Sequence, residues 1–82
     1  MTLIAINNSY MRSVVQKTRS NLGKRVQKLR KSIGYTQERF AEIVGISRTH
    51  IGHIEQGRKS PSLKTLEKIA RALKIKLGDL LS

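Results

Sequence analysis

An all-α fold of five helices, preceded by an N-terminal extension, is the architecture this 82-residue sequence predicts. Three observations carry that reading. Apolar residues recur at spacings of three and four from Leu22 onward, the period of one helix face. Thr36, Ser47 and Ser62 stand where N-caps belong, and Gly34, Gly45 and Gly57 where helices end. Only Leu3–Ile6 reads as a strand.

Residues 1–20 are an N-terminal arm or accessory segment. Leu3-Ile4-Ala5-Ile6 suits a short strand, Asn7-Asn8-Ser9 is a polar break, and Tyr10, Val14 and Val15 suit one side of a helix. A strand, a helix, a minor-groove arm and a frayed basic terminus are all open to it. The second unit covers residues 21–82. Its first helix carries Leu22, Val26, Leu29 and Ile33 as one stripe, with Ser20 or Asn21 as cap and Gly34 behind. The second starts behind Thr36 with Phe40, Ala41 and Val44 inward, and stops at Gly45. The third starts behind Ser47, is anchored by Ile51 and Ile54, and stops at Gly57. The loop Arg58-Lys59-Ser60-Pro61 leads to Ser62, which caps a fourth helix with Leu63, Leu66, Ile69, Ala70 and Leu73 inward. Leu77 to Leu81 makes a short fifth.

Length and charge narrow the function. A chain of this size buries only about 60–65% of its unfolded surface, so one small core is expected. Seventeen Lys and Arg stand against five Asp and Glu, a net charge of +12. Residues 1–20 carry +3, 21–35 carry +5, 36–57 carry −1 and 58–82 carry +5. A near-neutral centre with basic flanks calls for a polyanion, nucleic acid first and an anionic membrane surface second. With no cysteine, disulfides and thiolate metal sites are excluded, and a reducing cytoplasm is expected. Leu3–Ile6 is the longest apolar run, too short for a bilayer span or a signal-peptide core. A soluble protein without a following ligand-binding domain is expected.

Helices two and three are joined by Gly45-Ile46-Ser47 alone, a connection that sets their axes at roughly 90–120°. Gly45 can take positive φ, Ala41 allows close approach, and Ile46 plugs the turn. Thr36-Gln37, Phe40-Ala41, Val44-Gly45-Ile46, Ile51 and Ile54-Glu55-Gln56-Gly57, with Ser60-Pro61-Ser62-Leu63, Leu66, Ile69-Ala70 and Leu73, resemble the phage-repressor and Cro family, also called the Xre family. The resemblance runs from about Leu22 to Leu81 and leaves residues 1–20 outside. It implies a repressor-like five-helix domain, sequence-specific binding of double-stranded DNA, transcription regulation, and dimers on two-fold operators with helix three in the major groove. It also implies a structural ion pair between Arg30 and Glu55. Ser-Arg-Thr-His-Ile is similar to the recognition helix of restriction–modification controllers.

Residue by residue, a wheel of about 100° per step puts Thr49, Gly52 and His53 opposite Ile51 and Ile54, with Arg48 at the N-terminal flank. No acid lies on that face. Arg48 is the first base-reading candidate, because a guanidinium fork matches guanine O6 and N7. Thr49 and His53 complete the base-reading set. Gln37, Ser47, His50, Gln56, Arg58 and Lys59 are phosphate-binding candidates. Ile75, Leu77, Leu80 and Leu81 exceed what a short terminal helix needs to close a core, and mark a homodimer interface. His50 and His53 stand three apart, yet no cysteine or inward carboxylate accompanies them, so neither a metal nor another cofactor is expected. Paired carboxylates, a phosphate loop and a nucleophile–base arrangement are all missing from the sequence, and no enzyme is expected. Two rival readings are an antitoxin or other protein-interaction module, binding a protein partner through residues 1–20 or 74–82, and a nonspecific electrostatic binder.

Overall fold

The computed structural model describes residues 8–82, with side chains from Arg12 onward. The expected strand at Leu3–Ile6 lies outside the described residues. These form α1 (Asn8–Ser32), α2 (Gln37–Val44), α3 (Arg48–Glu55), α4 (Leu63–Ala72) and α5 (Leu77–Leu81), with no strand among them. No described helix is long and apolar enough to cross a membrane.

Helix α1 is the main departure from expectation. It runs unbroken for 25 residues, so neither Ser20 nor Asn21 caps a helix start. The apolar stripe that begins at Leu22 marks where the helix becomes buried. It does not mark where the helix begins. From Arg12 to Thr18 every residue is exposed. Gln, Lys, Arg and Met are strong helix formers, and a helix already nucleated by packing extends at little cost. The long axis of the protein reaches 50 Å, against 24 and 20 Å in the other directions.

Helix ends follow the sequence closely. Gly34, Gly45 and Gly57 have φ of 83°, 85° and 74°. Behind each, the next N–H reaches back five residues: Tyr35 to Arg30, Ile46 to Ala41, and Arg58 to His53. Thr36, Ser47 and Ser62 each accept the N–H three residues on, from Arg39, His50 and Thr65. Each cap contributes about 1 kcal/mol. A fourth turn of the same kind was not legible: Lys74 takes φ 60° without being glycine, and Ile75 N–H bonds the Ala70 carbonyl.

Phe40, Ile51, Ile54, Ile69, Leu80 and Val26 form the fully buried centre, with Leu22, Leu29, Tyr35, Ile46, Leu66, Ile75 and Leu77 packed around it. Two residues expected inward are exposed. Ile33 lies past the end of α1, and Leu63 is the first residue of α4, where the helix has not yet reached the core.

Candidate nucleic-acid interface

The turn between α2 and α3 sets the site. Gly45 in the left-handed region ends α2, and Ser47 starts α3 two residues later. Ile51 and Ile54 anchor α3 on the core, which turns Arg48, Thr49, Gly52 and His53 away from it. Those four, with Gln37, Gln56 and Arg58, line one open depression of about 260 Å³. The structure thus brings together the three base-reading candidates and three of the phosphate candidates. Ser47, His50 and Lys59 are not among its lining residues. Ser47 Oγ accepts the His50 N–H at 3.0 Å, which leaves its own proton free to donate. Lys59 is exposed on the following loop, and His50 is half-buried.

The depression is lined by two arginines and no carboxylate. Glu55, the acid nearest in sequence, is turned inward. Arg30 Nε donates to Glu55 Oε2 at 2.7 Å and Arg30 Nη2 to Oε1 at 3.0 Å, with side-chain exposures of 7% and 1%. Arg30 Nη1 also donates to the Tyr35 carbonyl at 2.7 Å. The expected structural pair is therefore a bidentate, buried fork that joins the end of α1 to the end of α3. Its buried charge needs every partner it has.

Gln37 has a role that sequence reasoning missed. Its Nε2 donates to Glu55 Oε1 at 3.0 Å. A carboxylate only accepts, so this bond fixes which way the amide faces. One N–H and the amide oxygen remain for the depression. The missed signal was arithmetic: a buried carboxylate accepts about four bonds, and one arginine supplies two.

Two glycines explain how α1 reaches α3. A Cβ on Gly23 would come within 2.6 Å of the Glu55 carbonyl oxygen and 2.9 Å of its carbon. A Cβ on Gly57 would lie 2.9 Å from Ser20 Cα. At Gly52, by contrast, a Cβ would meet nothing within 4 Å. The packing of the protein does not require glycine there.

The proposed dimer residues divide. Leu80 is 1% exposed and belongs to the core, which removes it from any partner surface; it seals the space between α1 and α4 that the short α5 closes. Ile75 and Leu77 are half-buried against the core, and Leu81 stands 53% exposed.

Comparison with known proteins points the same way. A family described as Helix-turn-helix matches residues 26–80. A protein of Methanothermobacter thermautotrophicus, named an uncharacterized HTH-type transcriptional regulator, is 50% identical over 63 residues, covering 77% of this chain and 75% of its own. The immunity repressor protein of Bacillus phage phi105 is 38% identical over 57 residues, 70% of this chain and 40% of that protein. Among solved structures, the restriction–modification controller protein C.AhdI of Aeromonas hydrophila superposes with a TM-score of 0.76 at 32% identity, covering 79% of this chain and 94% of the controller.

Proposed function

The chain belongs to the helix-turn-helix family, and from that premise we propose that it is a regulator of transcription that binds specific sequences of duplex DNA as a homodimer on a two-fold operator, in the cytoplasm. The observation that carries this reading is the acid-free, outward face of α3, with Gly52 leaving open room at its middle. A helix about 10–12 Å across fits a major groove about 12 Å wide. In that groove Arg48 pairs with a guanine edge, Thr49 meets a thymine methyl or base edge, and His53 bonds a base one turn deeper. Gln37, held by Glu55, offers its free N–H beside the α2 N-terminus to one phosphate. Ser47, His50, Gln56, Arg58 and Lys59 take others. These contacts position the helix without reading sequence.

One such helix reads few base pairs, so a dimer on half-sites about 34–36 Å apart supplies the rest. Leu81, flanked by Ile75 and Leu77, is the patch around which two copies meet. The names of the similar proteins, an immunity repressor and a restriction–modification controller, support regulation as the outcome of binding.

Selection of duplexes from a random library tests the reading directly. Enrichment of a two-fold symmetric site is expected, and an unenriched pool refutes it. On the enriched site, Arg48→Ala should flatten discrimination at one base pair per half-site, a loss of about 1–3 kcal/mol of specificity. Lys59→Ala should weaken all sequences alike and shallow the salt slope by roughly one unit per protomer.

A further inference from the structure

The projecting half of α1 lies outside the matched family region and takes no part in the site described above. We propose that it is a second DNA-contacting element, which lays Arg12, Lys17 and Arg19 along phosphates beyond the stretch covered by α3. The proposal rests on the DNA-binding reading of α3 and adds to it a longer footprint.

Charge is the first observation. No acid precedes Glu38 in the sequence, while α1 carries eight Lys and Arg. Arg30 is taken by Glu55, and Arg25 donates to the Ser82 carbonyl. Arg12, Lys17, Arg19, Lys24, Lys28 and Lys31 form no ion pair among the described residues. In the exposed half no acid offsets Arg12, Lys17 and Arg19, and residues 12–18 are all exposed, so the rest of the protein supplies no opposite charge. A polyanion alongside supplies it.

Placement is the second observation. Helix α1 crosses the C-terminal end of α3 where Ser20 meets Gly57 and Gly23 meets Glu55. The residues before Ser20 therefore continue past the Gly57-Arg58-Lys59 turn, which follows α3. At about 100° per residue, Arg12, Gln16 and Arg19 lie within about 70° of the direction that Ser20 and Gly23 present to α3, and Lys17 about 90° from it. Along the axis, Arg12 lies about 12 Å beyond Ser20. That distance is the rise of roughly three to four base pairs. A membrane surface is the competing partner, since Val14 and Val15 are also exposed; at about 100° per residue Val14 points about 160° from Arg12 and Gln16 while Val15 points about 60° from Arg12, so the two valines form no apolar face of their own and are too few to anchor a helix in lipid.

The test compares the wild type with Arg12→Gln/Lys17→Gln, both exposed positions where glutamine keeps helix propensity. The probe is the duplex enriched from the random library, with arbitrary flanks of about one helical turn, and the same duplex trimmed to the enriched site. On the long duplex, the slope of log affinity against log salt should shallow by about three to four units, because the dimer loses two phosphate contacts per protomer and each contributes about 0.9. On the trimmed duplex the two proteins should bind alike, and the wild type alone should lose affinity on trimming, a measurement that needs no variant. Equal slopes on the long duplex overturn the proposal and leave the α3 reading standing. Equal slopes, combined with binding to phosphatidylglycerol vesicles that the wild type shows and the double variant loses, overturn it in favour of a lipid surface. A wild type that selects no duplex overturns both readings.

Discussion

From Leu22 to Ser32, α1 buries Gly23, Val26 and Arg30 against α3 and the core, whereas from Arg12 to Thr18 every residue of the same helix is exposed. The backbone is continuous, and the hydrogen-bonding pattern does not change. The C-terminal half carries the apolar stripe, the close glycine and the buried ion pair. The N-terminal half carries cations and two half-exposed valines, Val14 and Val15. Burial and helicity are therefore separable in this protein. The stripe records contact with the rest of the fold, and the helix extends wherever residues with good intrinsic propensity follow a nucleated segment.

That contrast predicts a graded series of effects. Arg30→Ala should be the most damaging, costing about 3–5 kcal/mol, since Glu55 is left charged, buried and short of partners. Denaturant unfolding measures it, and a loss below about 1 kcal/mol would mean the pair is solvated after all. Gly23→Ala comes next. Elsewhere on α1 this change should stabilise by about 1 kcal/mol through propensity. At Gly23 the new methyl meets the Glu55 carbonyl, and a net loss of about 1–3 kcal/mol is expected from overpacking against backbone that cannot move aside. A gain at this position would show that the two helices do not touch so closely in solution. In the projecting half, amides of residues 12–18 should exchange hydrogen far faster than those of residues 24–31, because local fraying there breaks no tertiary contact. Protection equal to that of the buried half would erase the distinction. Val15→Ala should be the mildest, within about 0.5 kcal/mol of the wild type. A larger effect would reveal that the valine is covered by something, a second copy included.

Much of the fold was readable residue by residue. Thr36, Ser47 and Ser62 act through bonds within three residues, and Gly34, Gly45 and Gly57 through their own φ, so sequence neighbours suffice to predict them. The face of α3 was readable for the same reason, since Ile51 and Ile54 state which side is inward. The misreadings share a cause. Apolar spacing points to a helix start at Leu22, although α1 begins 14 residues earlier, at Asn8, where the apolar stripe does not reach. Lys74 adopts a left-handed conformation that nothing in its side chain signals. Leu80 and Leu81 are adjacent leucines on a five-residue helix, and only the position of α1 and α4 decides that one is buried and the other exposed.

The amino-acid sequence by itself determined the order of the helices, the short turn between α2 and α3, the acid-free face of α3 and the basic charge around it. All of these follow from short-range chemistry: caps, positive φ, helical period and formal charge. Tertiary structure alone decided that Gln37 is held by Glu55, that Gly23 lets α1 rest on the end of α3, and that the first half of α1 projects past it. These depend on atoms that are distant in the chain and meet only when the core closes, and no local pattern encodes a distance between them.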